Sequence, residues 1–332
     1  MTIKITTITK EEKKPLDPKR FDAAKKVKKY ASQALEVLRK DNPTLAKLVS
    51  PGDVAYLIGL RPLYELLKLA VWTGCLEGQE PVSCIIVASP SAGKTEIMKR
   101  VACPPFAVEI DDLTSKTYSD KLREPRTRHL ILGDLTSLFG HRSSTVKLAL
   151  NMLRRAVAEG VFTDSYTGQT ITHRHVGLIT GIPPEDFESP EVEAALHSGG
   201  LDTRFIVASY GLSVKTVQAG HASITDGDYE AITPIPVSIA NSDYGAVTPI
   251  PWKITLPEKK VKVIIPKDGV GDKLETLSLL LQSDPIGFRT HKHLRALLAA
   301  SAAERGNTVA DINDFLRVQA LAEFFTVIGR KL

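Results

Sequence analysis

Residues 82–95 constrain this chain more than any others. A short apolar run, 82–87 (VSCIIV), leads into Ala88-Ser89-Pro90-Ser91-Ala92-Gly93-Lys94-Thr95, and a helical pattern opens at Lys94. A strand, a small-residue loop and a helix beginning Gly-Lys-Thr are the parts of a phosphate-binding loop. Residues Ser89 to Glu96 form the candidate cradle: loop N–H groups and the helix N-terminus suit phosphate oxygens. The Lys94 ammonium adds a point charge near the terminal phosphates, and the Thr95 hydroxyl suits Mg²⁺. Gly93 stands where backbone must approach phosphate closely, while Ala88 replaces the first glycine of the usual pattern. ATP with Mg²⁺ is the expected ligand pair.

Further apolar, β-prone runs at 106–110, 129–132, 176–180 and 205–209 alternate with helical patterns, the clearest at 144–159. Strands this uniformly apolar are covered on both faces, so the alternation predicts a mostly parallel α/β sheet. The run 129–132 ends in Gly133-Asp134, an acid suited to hold Mg²⁺ through water, but Leu135 follows where a glutamate commonly activates water. In a register shifted by one, Asp134 is that base and the metal-binding acid is missing. Either way this stretch lacks one carboxylate, and slow hydrolysis is an open expectation. Asp111 and Asp112, after the run 106–110, suit turn capping better than replacing it. Residues 161–175 read as a β-hairpin with its tip at Thr167-Gly168-Gln169 and His173, Arg174 and His175 on the return strand. No cysteine or carboxylate completes a metal site around the two histidines.

The flanks differ in charge and texture. Of the net +5, the first fifty residues carry +7, from thirteen basic and six acidic side chains, and the remainder carries −2. Residues 17–40 read as an amphipathic helix whose Lys25, Lys26, Lys28 and Lys29 form a basic side suited to nucleic-acid phosphates, and a second helical region runs over 54–72. Residues 213–274 are rich in Pro, Gly, Thr and Val and contain a repeat, SITDGDYEAITPIPV at 223–237 and SIANSDYGAVTPIPW at 238–252. This predicts an inserted β-rich module or exposed arm. Helical patterns return at 274–281, 291–304 and 312–328. A 43% hydrophobic, 24% charged composition excludes a mainly disordered or fibrous chain. The three cysteines, Cys75, Cys84 and Cys103, have no metal-type spacing and form no disulfide framework. No secretory leader is evident, and the most apolar stretch, 56–72, is interrupted by Arg61, Glu65 and Lys68. A soluble cytoplasmic protein without a membrane span is expected.

In the order of its motifs the chain resembles the AAA+ ATPases. The likeness is nearest to those with a hairpin ahead of the sensor-1 strand, such as minichromosome-maintenance and superfamily-three helicases, and to replication ATPases of phages and mobile elements. It rests on the loop 88–95, the acid-tipped strand, residues 152–165 (MLRRAVAEGVFTDS) leading into the hairpin, and the Arg204-Phe205 pair, over residues 81–209 and the C-terminal helices. The resemblance implies a parallel-sheet core at 79–212, an N-terminal helical extension at 1–78, the β-rich insertion at 213–273 and a helical lid at 274–332. It implies sensor 1 at Thr180, an arginine finger at Arg204 acting on a neighbouring subunit's nucleotide, and sensor 2 at Lys292 or Arg295. It further implies a homo-oligomer such as a hexameric ring, with DNA touched by Thr167, Gly168, Gln169, Arg174 and the basic N-terminal helix. The expected function is ATP-driven DNA remodelling by a replication helicase or loader. An ATP-gated adaptor with weak hydrolysis is the alternative, and a small-molecule kinase is disfavoured by the lid-like C-terminus and Arg204.

Overall fold

The computed structural model describes residues 61–140, 142–164, 166–198, 200–201, 203–210, 254–281, 289–322 and 325–327. The basic N-terminal helix, the polar arm before it and the 223–252 repeat lie outside these residues. The described residues belong to one compact unit.

Five short strands build the centre: β1 (Ser83–Val87), β2 (Ala107–Ile110), β3 (His129–Leu132), then, past a hairpin of β4 (Phe162–Thr163) and β5 (Thr170–Ile171), β6 (Gly177–Ile182) and β7 (Phe205–Ser209). They pair in parallel in the order β2-β3-β6-β1-β7. Their two-residue period divides the side chains between two cores. Cys84, Ile86, Ile131, Ile179 and Ile206 enter one core, and Ile85, Val87, Leu130, Leu132, Leu178, Ile182 and Val207 enter the other. Coverage on both faces is why these runs are apolar throughout. The sequence expectation of a parallel α/β sheet holds.

On the first face lie α1 (Arg61–Thr73) and α2 (Lys94–Val101), followed in the chain by α3 (Ser115–Arg123), α4 (Thr136–Phe139), α5 (Ser143–Arg154), α6 (Pro184–Phe187) and α7 (Pro190–Ser198). Helices α3, α5 and α7 cover the second face, and α5 closes with a wider turn at Arg155–Glu159. The C-terminal helices are α8 (Asp272–Leu281), α9 (Arg289–Glu304) and α10 (Ile312–Leu321). Leu274, Leu277, Leu294, Leu297, Phe315 and Val318 share the first core with Leu66, Leu67 and Ala70 of α1. These helices are thus continuous with the body of the protein, a closer attachment than the lid expected over 274–332.

Two other expectations are corrected. The helical reading of 312–328 stops at Leu321, and Phe325–Val327 becomes β8, antiparallel to β7 at the sheet edge. The run Phe324-Phe325-Thr326-Val327 is β-branched and aromatic, and an open edge was available to pair it. The β-rich insertion expected over 213–273 does not extend to its C-terminal end. Ile254, Leu256 and Val270 are buried in the first core, and Arg128 fixes the segment by donating to the carbonyls of Pro257 at 3.2 Å and Glu258 at 2.8 Å.

Candidate functional site

The loop after β1 is held open by its backbone. Ser91 and Gly93 have φ of 61° and 83°, left-handed conformations of the kind from which anion nests of successive N–H groups are built. Gly93 caps α2 from that conformation, and its carbonyl accepts from Ile97 N–H at 3.0 Å. Lys94 folds back over the loop, and its ammonium donates to the carbonyls of Ala88 at 2.5 Å and Ser89 at 2.9 Å. Partial burial pulls the Lys94 ammonium below its ordinary value, against the opposing charges of Asp134 and Glu185. Ser89, Pro90, Ser91 and Thr95 are exposed at the mouth, whereas Glu96 is engaged along α2 with Lys99 at 3.2 Å.

The acid-tipped strand reaches the same place. Leu135 N–H donates to the Gly181 carbonyl at 2.8 Å, which sets Asp134 level with Gly181 on the neighbouring strand β6. Strand β6 lies between β1 and β3, so residues at its C-terminal end fall between the loop and the acid. A side chain at Gly181 would press on Lys94: a Cβ there would lie 3.3 Å from Cδ of Lys94 and 3.2 Å from the Gly133 carbonyl oxygen. Asp134 is exposed; its Oδ1 accepts from Thr136 N–H at 2.8 Å, and Leu135 is buried in the second core. Thr95 offers a hydroxyl and Asp134 an exposed carboxylate, oxygen ligands of the kind Mg²⁺ takes alongside water.

No protein-family model matches the chain, and no curated protein does.

Other expected site residues fall in different places. Thr180 is fully buried on the side of β6 shared with Leu178 and Ile182, one residue short of Gly181, and its hydroxyl has no hydrogen-bond partner among the described residues. Arg204 precedes β7, whose Phe205 pairs with Ser83 at the start of β1. It therefore occupies the opposite end of the sheet from the loop, about 16 Å away along five strand residues. Lys292 is at that far end too, beside Glu80 at 3.5 Å, and no described contact carries it or the exposed Arg295, one turn on along α9, to Lys94. The first turn of α9 thus packs near Glu80, at the end of the sheet away from the loop. Asp111 and Asp112 end β2, separated from β1 by two strands.

The hairpin forms as expected, with an exposed tip at Thr167, Gly168 and Gln169 and a register of Phe162 opposite Ile171. Arg174 is not on its outer surface. Its guanidinium donates to the carbonyls of Leu122 and Glu124, groups that the end of α3 leaves without helical partners. The expected Arg174 contact to DNA is thereby replaced by a structural one. Asp164 completes the anchor by accepting from Arg123 Nε at 2.8 Å and from Tyr166 N–H at 2.7 Å, while Arg123 stacks over the Tyr166 ring at 4.2 Å. His175 bonds the Val157 carbonyl at 3.2 Å, and among the described residues no group of three metal-ligating side chains gathers.

Three residues of the site escaped the sequence reading. Two are Gly181 and Glu185: nothing in the local pattern marks a glycine inside an apolar strand as room for a lysine, or the acid that follows that strand as a neighbour of the loop. Tyr210 is the other: its hydroxyl donates to the Ala92 carbonyl at 2.7 Å, bracing the loop from the end of β7. No helix among the described residues is long and apolar enough to cross a membrane.

Proposed function

We propose that this chain is an oligomeric AAA+ ATPase that couples ATP binding and hydrolysis to DNA remodelling, as a replication helicase or loader does. One observation carries the reading. The Lys94 ammonium, the Gly93-capped helix and the Asp134 carboxylate gather at the C-terminal ends of β1 and β3, the two parallel strands that flank β6, where ligands of open α/β sheets bind. The nest and helix N-terminus hold the phosphates, Lys94 neutralises charge on the terminal group, and Thr95 with Asp134 hold Mg²⁺. The metal supplies Lewis-acid charge at the phosphate oxygens. Arg204, at the far end of the sheet, serves the nucleotide of another copy, which supports an assembly with shared sites. The +7 of the first fifty residues supports DNA as the polyanion engaged.

The test is phosphate release with and without DNA. Wild-type protein turns over ATP faster with DNA, and Lys94→Ala lowers turnover to background with a lost affinity for a fluorescent ATP analogue. Turnover that is absent from the wild type, or unchanged by Lys94→Ala, overturns the motor. Buried Leu135 favours a second reading, an ATP-gated adaptor, which nucleotide-dependent DNA binding without turnover identifies.

A further inference from the structure

Another acid, Glu185, follows β6, the strand beside β3. Strand β6 ends at Ile182, whose carbonyl accepts from Ala88 N–H at 3.3 Å, so the chain leaves the sheet directly beside the first residue of the loop. Pro183-Pro184 turns it into α6, and the first ionisable side chain past the strand is Glu185. Glu185 is exposed and makes no hydrogen bond or ion pair with a basic side chain at contact distance among the described residues. Its charge nonetheless acts on Lys94, as that of Asp134 does. The backbone explains the arrangement. Gly181 leaves room on β6 for the Lys94 stem, so the lysine passes the end of the strand that lies between Asp134 of β3 and the loop and that runs on to Glu185. Two fixed prolines and a short turn hold Glu185 at that end of the sheet. Leu135, the position where the second acid is commonly found, instead points into the second core.

We infer that Glu185 is the general base of the hydrolytic step, standing in for the glutamate that Leu135 replaces. This rests on the ATPase reading above. As water attacks the γ-phosphorus, its oxygen forms the new P–O bond and one of its protons passes to the Glu185 carboxylate. The bond between the γ-phosphorus and the bridging oxygen breaks, and that electron pair leaves with ADP. The proton then passes from Glu185 to the phosphate product or to solvent, restoring the carboxylate. Asp134 keeps the metal-holding role, so the two carboxylates follow two neighbouring strands, β3 and β6, rather than being consecutive residues of one.

The experiment uses full-length protein and compares wild type, Glu185→Gln and Glu188→Gln, the last an exposed acid one turn away. Single-turnover hydrolysis and the affinities for fluorescent ATP and ADP analogues are measured together. Glu185→Gln is expected to lower the hydrolysis rate by about a hundredfold or more, the usual loss for a general base. Its ATP affinity stays equal or rises, because a negative charge beside the γ-phosphate is gone, while ADP affinity and thermal midpoint do not change. Glu188→Gln behaves as wild type. Hydrolysis by Glu185→Gln within threefold of wild type overturns the assignment and leaves the ATPase reading intact. A tenfold loss of ATP affinity in Glu185→Gln also overturns it, since Glu185 would then belong to the binding cradle. Wild-type protein that binds no nucleotide overturns the underlying reading as well, which separates the two failures.

Discussion

Gly181 shows how one absent side chain shapes the candidate site. A Cβ at this position would meet backbone on one side and the Lys94 stem on the other, and only the lysine is free to move. Gly181→Ala is therefore expected to lift Lys94 off the strand and weaken ATP-analogue binding roughly tenfold, about 1.4 kcal/mol, with little change in thermal midpoint. Titration by fluorescence against the wild type checks it. His129 carries a second consequence at the same scale. It begins β3 in a space cleared by Gly74 and Gly177, with Nε2 3.1 Å from the Val82 carbonyl, and burial pushes its pKa down to about 4. An unfolded histidine titrates near 6.5, so as pH falls below about 6.5 the unfolded chain takes up a proton that the folded one refuses. The stability held above that pH is lost progressively down to about pH 4, with about 2 kcal/mol gone at pH 5. Urea unfolding at pH 7 and pH 5 measures the loss, and the His129 ring signals should remain those of neutral imidazole at pH 5.

Elements are joined by charge as well as by apolar packing. Glu65 of α1, only 3% exposed, meets Lys68 at 3.0 Å and Arg317 of α10, while Glu304 of α9 meets Lys68 at 2.7 Å and Arg317 at 2.5 Å. Burial alone would raise the Glu65 pKa, but the two cations more than offset it and hold the carboxyl below its ordinary value. Arg317→Met leaves two acids facing one lysine and is expected to cost about 3 kcal/mol in urea unfolding. The triple change Glu65→Met, Glu304→Met and Arg317→Met, which removes the partners together, should recover much of that loss. Asp314, fully buried, ties α9 to α10 by accepting from Ser301 at 2.8 Å and from Arg305 at 2.6 Å, and it completes a capping box with Asp311. The Glu65 and Lys68 contacts tie α9 and α10 to α1, and those of Asp314 tie α9 to α10. The patterns that announced each helix were local and legible, since amphipathic spacing depends on residues three and four apart. Their partners were not, because an ion pair between residues 65 and 317 leaves no trace in either segment.

At the scale of the molecule, the two ends of the sheet carry different chemistry. The loop, Asp134 and Glu185 gather at one end, and Arg204 with Lys292 lies at the other, about 16 Å away. A single copy therefore does not bring Arg204 to its own nucleotide. Arg204→Ala is expected to bind ATP normally and lose hydrolysis by about a thousandfold, the scale of an arginine finger. Mixing it with Lys94→Ala protein should restore activity at interfaces where an intact loop meets an intact Arg204; two inactive proteins that stay inactive when mixed exclude shared sites. The sequence by itself determined the five central strands, the loop at 88–95, the hairpin and most helices, because strand and helix periodicity and the Gly-Lys-Thr motif are properties of neighbouring residues. Tertiary structure alone decided that β6 separates β1 from β3, that Arg174 caps α3, that 325–327 pairs with the sheet edge, and that Glu185 follows the strand that ends beside Asp134 and the loop. Each of those depends on which distant segments become neighbours, and that follows from burying both faces of one sheet, which no local pattern encodes.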